Sequence, residues 1–259
     1  MYKNNRLLHH IMKNINKKDE LIEEPNENNN FKKIPLNLFQ TWHIKYLPKH
    51  MNETVLSLKN NNPEFTHHLY DDTDCRSFIS EHFNSDVLQA FDTLIPGAYK
   101  ADLWRLCVLY IYGGIYLDIK FKCINGFKFI NLIDKEYYVK DRPFIIDKSD
   151  LNNNIIPIYN GLMISYRKNS KLLDAINKIV DNTKNKYYGP NEFYPTGPMM
   201  LGLLFKKYNF EFSLAYIGFN ITLNDTIILE EYAEYRSEQH LNQSTPYYSL
   251  LWKKHKIYK

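Results

Sequence analysis

The run AYKADLWRLCVLYIYGGIYLD, residues 98–118, constrains the fold more than any other part of the chain. Trp104, Cys107, Val108 and Ile111 recur at the i, i+3, i+4, i+7 spacing of one helical face, and Asp102, Arg105, Leu109 and Tyr112 form a neighbouring stripe. Gly113 and Gly114 close that helix and let the chain reverse tightly. The following residues alternate, which predicts a strand with Tyr116, Asp118, Lys120 and Lys122 on one side and Ile115, Leu117, Ile119 and Phe121 on the other. The second set suits a core. The first must meet water or a ligand.

Around this unit, strands and helices take turns. IPLNLFQTWH reads as a strand running into a loop, and EFTHHLYDD as a second strand ending in acids. TDCRSFISEHFNSDVLQAFDTL is helical by spacing, and the acids at 71, 72 and 74 read as helix caps in preference to ligands. YNGLMIS is a short strand, SKLLDAINKIVDNTKN an amphipathic helix, TGPMMLGLLFKKY a turn and helix, and LAYIGFN and DTIILEEY short strands. This order predicts an α/β fold: a mixed, mostly parallel sheet flanked by helices in a single domain. Residues 1–33 separate from it. They hold a short amphipathic piece with Leu7, Leu8, Ile11, Met12 and Ile15 and the polar tract EEPNENNNFKK, so the domain is expected to span residues 34–259.

Composition excludes several classes. Lys and Arg number 33 against 29 Asp and Glu, a formal charge of +4 without a basic stripe, which argues against a nucleic-acid partner. Cys75, Cys107 and Cys123 lie far apart without metal-ligand spacing and read as buried free thiols of a reducing compartment. With no signal-like run and no long apolar stretch, the expectation is a soluble cytoplasmic protein lacking a transmembrane segment, held at a membrane only peripherally. His43, His67, His68 and His82 have no metal-binding spacing, and GxxxxGK[ST], GxGxxG and GxSxG are absent.

Spacing alone leaves the polar face open to two readings. Asp102 with Arg105, and Asp118 with Lys120, are either solvated ion pairs stabilising by a few tenths of a kcal/mol, or, with Tyr116, the lining of one cleft. The order IPLNLFQTWH, NPEFTHHLYDD, KADLWRLCVLYIYGGIYLD, NGLMIS and PTGP is more specific. It resembles the DxD-type glycosyltransferase family of outer-chain mannosyltransferases and capsular polysaccharide sugar transferases, from about Ile34 to the C-terminus, and its core string is also similar to that of clostridial toxin glucosyltransferases.

The resemblance implies a GT-A fold, a nucleotide-sugar donor (a UDP- or GDP-linked hexose or N-acetylhexosamine), transfer with retention, and a glycan or lipid-linked saccharide acceptor. By position, Asp102 and Arg105 would bind donor-sugar hydroxyls, with Arg105 also near phosphate. Tyr116 would line the donor pocket, the loop at Gln40, Thr41 and Trp42 would approach the nucleotide, and Asn160 and Gly161 would face the sugar. Thr196 and Gly197 precede a helix whose free N–H groups suit a phosphate or sugar oxygen, although a plain turn explains them equally well. Trp252 is either part of a closing loop or, as aromatics near a C-terminus more often are, packing.

Asp118 matches the first acid of the DxD motif, which implies Mn²⁺ or Mg²⁺ bound there. Lys120 stands where the second acid is expected. Two arrangements stay open: the ammonium itself serves as the phosphate-binding cation, or a metal is recruited by another carboxylate such as Asp141, Asp147 or Glu192. The alternative to a transferase is a catalytically silent binder of nucleotide sugar or glycan. No residue declares itself as a nucleophile.

Overall fold

The computed structural model describes residues 33–208 and 210–259. The piece from Leu7 to Ile15 and the tract up to Lys32 lie outside the described residues.

Asn37–Thr41 forms strand β1, Lys49–Asn61 helix α1, and Thr66–Tyr70 strand β2, parallel to β1. The helical run that follows is divided. Asp72–His82 is α2 and Ser85–Thr93 is α3, because the Asn84 side chain accepts from the N–H of Val87 and starts a new helix. Gly97–Tyr112 is α4, Gly114–Leu117 is β3 and Phe121–Cys123 is β4. Then come Tyr137–Lys140 (β5), Ile158–Ser165 (β6), Ser170–Lys184 (α5) and Pro198–Phe205 (α6). Leu214–Ile217 (β7), Asn220–Leu223 (β8), Thr226–Glu231 (β9), Tyr235–Asn242 (α7) and Tyr248–Lys253 (α8) complete the described chain.

The strands form one sheet in the order β2-β1-β3-β6-β5-β7-β8-β9-β4. It is mixed, as the alternation of strands and helices predicts, but not mostly parallel. β1–β2, β1–β3 and β5–β7 are parallel, whereas β3–β6, β5–β6, β7–β8, β8–β9 and β4–β9 are antiparallel. The C-terminal strands β7 to β9 follow one another through short turns at Gly218 and at Asn224–Asp225, all with positive φ, and such turns join only antiparallel neighbours.

The two faces carry separate cores. Leu38, Ile115, Leu117, Leu162 and Ile164 pack with Leu58 of α1, while Phe39, Tyr116 and Met163 face α2 to α6. Helix α4 is buried on nearly every side, with Leu103, Trp104, Cys107, Val108 and Leu109 wholly enclosed. At its end Gly113 and Gly114 hold φ of 64° and 115°. A Cβ on Gly114 would lie 2.5 Å from the Asn37 carbonyl oxygen, so glycine is what lets β3 meet β1.

The alternating strand expected over residues 115–122 is broken. β3 stops at Leu117, Asp118–Lys120 turns, and β4 begins at Phe121. Yet β3 is third in the sheet and β4 ninth. In a flat sheet those positions would be about 29 Å apart at ~4.8 Å per strand spacing, whereas three extended residues span about 10 Å. The sheet therefore curls until its far edge returns to β3. The turn is fastened on both sides: the Asp118 N–H donates to the Gly161 carbonyl on β6 (2.7 Å), and the Tyr232 N–H, just after β9, donates to the Lys120 carbonyl (3.0 Å).

Candidate functional site

The Asp118–Lys120 turn faces a cleft of about 520 Å³. Helix α4 supplies Asp102 and Arg105 one turn apart, β3 supplies Tyr116, and the start of β6 supplies Tyr159 and Asn160. The i, i+3 spacing that left a surface ion pair open instead gives an enclosed one: Arg105 is 5 % exposed and Asp102 8 %.

Arg105 is held from every direction. Its Nε donates to the Ala101 carbonyl (3.1 Å) and Nη1 to the Asn160 carbonyl (2.6 Å), while Nη2 lies 3.3 Å from Asp102 and 3.6 Å from Asp118. Its guanidinium sits 4.4 Å from the centroid of the Tyr116 ring. Asp102 accepts from Asn160 Nδ2 (2.9 Å) and from the Thr196 hydroxyl (2.7 Å). Burial pushes the Asp102 carboxyl up to about 6, against the opposing pull of Arg105, Thr196 and Asn160.

Asp118 accepts from the Tyr116 hydroxyl (2.9 Å) and the Tyr159 hydroxyl (3.4 Å), and Lys120 Nζ lies 3.3 Å from its Oδ2. Burial works against its charge, but Lys120, Arg105 and the Tyr116 hydroxyl more than offset that and hold this carboxyl below the usual range. The Lys120 ammonium lies 5.3 Å from the ring centroid of Phe121, 5.5 Å from that of Tyr159, and 6.0 Å from those of Tyr216 and Tyr235. Four rings stabilise the cation electrostatically without taking its protons. Gly161 is required beside this pair, since a Cβ there would come within 2.6 Å of Asp118 Oδ2.

The structure brings Thr41, Trp42, Asp102, Arg105, Tyr116, Asp118, Lys120, Asn160 and Gly197 to the cleft. Gln40 is not among its lining residues. It is fully buried and bonded to His67 (2.9 Å), because alternation on β1 turns it away from Thr41. Thr196 acts one layer back, its hydroxyl committed to Asp102. Asp71 and Asp74 form a capping box at the start of α2, but Asp72 lines the cleft. Trp252 is packing: its indole N–H donates to the Tyr188 carbonyl (2.8 Å). Instead, the segment from Gln243 to Ser249, the connection after α7 and the start of α8, walls the cleft.

A divalent cation does not fit the side chains around Asp118. Among the described residues its ion-pair partners are Arg105 and Lys120, and a metal beside Oδ2 would meet the Lys120 ammonium at close range. Two of the other acids are engaged, Asp141 buried against Arg142 and Asp147 capping Ser149, while Glu192 lines the cleft. Among the described residues no three His, Cys, Asp or Glu side chains converge as a ligand set.

Sequence reasoning missed Tyr159, Tyr216, Tyr235 and Arg142, and named Asp141 only as a possible metal ligand. Tyr159 adjoins the expected Asn160, and strand alternation in LAYIGFN marks Tyr216 as inward. Nothing local marks Arg142, whose place depends on how β5 sits in the sheet.

Residues 48–140 match the family described as glycosyltransferase sugar-binding region containing DXD motif. The initiation-specific alpha-1,6-mannosyltransferase of Candida albicans is 30 % identical over 94 residues, 34 % of this chain and 24 % of that protein. Inositol phosphoceramide mannosyltransferase 1 of Schizosaccharomyces pombe is 25 % identical over 181 residues, 68 % of this chain and 52 % of that protein. The chain thus spans about a quarter to a half of the length of these relatives. Among solved structures, the PaToxG glycosyltransferase superposes with a TM-score of 0.51 at 14 % identity, covering 68 % of this chain and 70 % of that one, a likeness of fold. Among the described residues no helix is long and apolar enough to cross a membrane.

Proposed function

We propose that this chain, whose residues 48–140 match the sugar-binding region of DXD-containing glycosyltransferases, moves a sugar from a nucleotide-sugar donor to a hydroxyl of a glycan or lipid-linked saccharide, with retention of configuration. The observation that carries the reading is the enclosed Asp102–Arg105–Asp118 cluster opening on a cleft. The donor is a UDP- or GDP-linked hexose or N-acetylhexosamine. Because relatives bear mannosyltransferase names, mannose is the first donor sugar to try. The domain is taken as residues 34–259, and three free thiols suit a cytoplasmic setting.

In this reading Asp102 accepts from donor-sugar hydroxyls, and Arg105 fixes that acid while its charge faces the donor. Trp42 and Thr41 line the nucleotide end. The bond from the anomeric carbon to the diphosphate oxygen breaks with both electrons passing to that oxygen. The acceptor oxygen bonds to the same face of the carbon, and its proton passes to the departing phosphate. Negative charge grows on the diphosphate as this happens, and the Lys120 ammonium, held by its ring of aromatics, offsets it.

The test is a panel of UDP- and GDP-sugars assayed for hydrolysis and transfer, with EDTA and with added Mn²⁺. Turnover should persist in EDTA, and Lys120→Ala should lower it by about 10²-fold. Complete, reversible dependence on metal with Lys120→Ala still active would overturn the role given to Lys120. Donor binding without turnover on any acceptor would favour the silent binding protein.

A further inference from the structure

Arg142 stands in the cleft with its binding face unused. It follows Asp141, which is itself anchored to the sheet: the Asp141 N–H donates to the Pro157 carbonyl (2.8 Å), and its carboxylate is almost wholly buried. That carboxylate accepts from the backbone N–H of Arg142 (2.7 Å) and from its Nε (3.2 Å). The guanidinium lies against two rings, 4.6 Å from the centroid of Tyr216 and 4.8 Å from that of Phe144. One acid and two rings therefore fix the plane of the group. Among the described residues neither terminal nitrogen of Arg142 has a hydrogen-bond acceptor.

Lys120 shares this setting. Its ammonium lies near the same Tyr216 ring, and Asp141 feels both cations. Each cation commits one edge to its own carboxylate, Asp118 or Asp141, and keeps its remaining N–H groups. Without a ligand, each of these two cations still faces a carboxylate. With one, the pair offers a point charge and a planar fork around one ring, that of Tyr216, which is a donor set that two linked phosphoryl groups accept.

We infer that Arg142 is a second cation of the leaving-group site, taking the terminal phosphoryl group of a nucleoside diphosphate in its free fork while Lys120 faces the phosphoryl group next to the nucleoside, with Asp141 as the positioning residue that sets the fork. The inference rests on the nucleotide-sugar reading, so the experiment separates the two. Calorimetric titrations in EDTA compare UDP with UMP and GDP with GMP for the wild-type chain, Arg142→Ala, Arg142→Lys and Asp141→Asn.

Wild type should bind its diphosphate about tenfold or more tighter than the matching monophosphate, the worth of one charged hydrogen-bonded contact. Arg142→Ala should erase most of that ratio while leaving monophosphate affinity within about twofold. Arg142→Lys, which keeps the charge but loses the fork, should recover part of it and tests the idea if the alanine variant fails to fold. Asp141→Asn should weaken the diphosphate alone. An unchanged ratio in both Arg142 variants overturns this inference and leaves the transferase reading standing. Wild-type chain that binds none of the four nucleotides overturns both.

Discussion

Asp102 shows what burial does to a residue whose spacing alone left a surface pair open. Its carboxyl moves from an ordinary value of 3.8 to about 6, driven by loss of solvent and opposed by Arg105, Thr196 and Asn160. The native state therefore holds this proton more tightly than the unfolded chain. Its contribution to stability is whole below about pH 3.8 and is lost as pH rises through about 6. Asp118 works in the opposite sense, contributing stability above the ordinary carboxylate range that is lost as pH falls. Melting temperatures of wild type and Asp102→Asn, recorded from pH 4 to pH 7, isolate the first effect. The stability of wild type relative to the variant should fall across that interval, and a flat difference would mean Asp102 is charged throughout. Asp102, Arg105, Tyr116 and Asp118 were legible in the sequence because they lie within one helix, one turn and one strand. Arg142 and the rings around Lys120 were not, because they come from strands whose neighbours are set by the sheet.

At the scale of elements, legibility followed local signals. Helix α2 announces itself: Asp71 accepts from the Asp74 N–H (2.8 Å) and the Asp74 side chain accepts in return from the Asp71 N–H (3.2 Å). Asp71→Ala should cost about 1 kcal/mol in urea unfolding while leaving nucleotide affinity unchanged, since the cap lies outside the cleft. Helix α1 gives no such sign. Pro48 precedes it without a side-chain cap, and its first-turn N–H groups, those of His50 and Met51, donate to Glu238, 188 and 187 residues away (2.9 and 3.0 Å). A helix start supplied from the other end of the chain cannot be read locally. The same holds for the break after Leu117, where alternation continues through residues that the sheet folds into a turn.

For the whole molecule, Glu238 ties the cleft's C-terminal wall to α1. It also accepts from the Tyr232 hydroxyl (2.9 Å), so one carboxylate joins α1, the end of β9 and α7. Glu238→Ala should destabilise the fold by about 1–3 kcal/mol. Amide exchange should speed up at the start of α1 and in residues 235–249 together. Faster exchange in α7 alone would show that the tie carries little.

The turn between β3 and β4 has one more consequence, concerning which changes a lineage can tolerate there. Asp118, Ile119 and Lys120 bridge the third and ninth strands of the sheet, so their number is fixed by closure, whatever cation they serve. An added residue would slide β4 one step along β9 and point Phe121, now fully enclosed, out of the core. Substitution at position 120 meets no such barrier. The interval between positions 118 and 120 is thus set by the architecture, while the identity of the side chain at 120 is not.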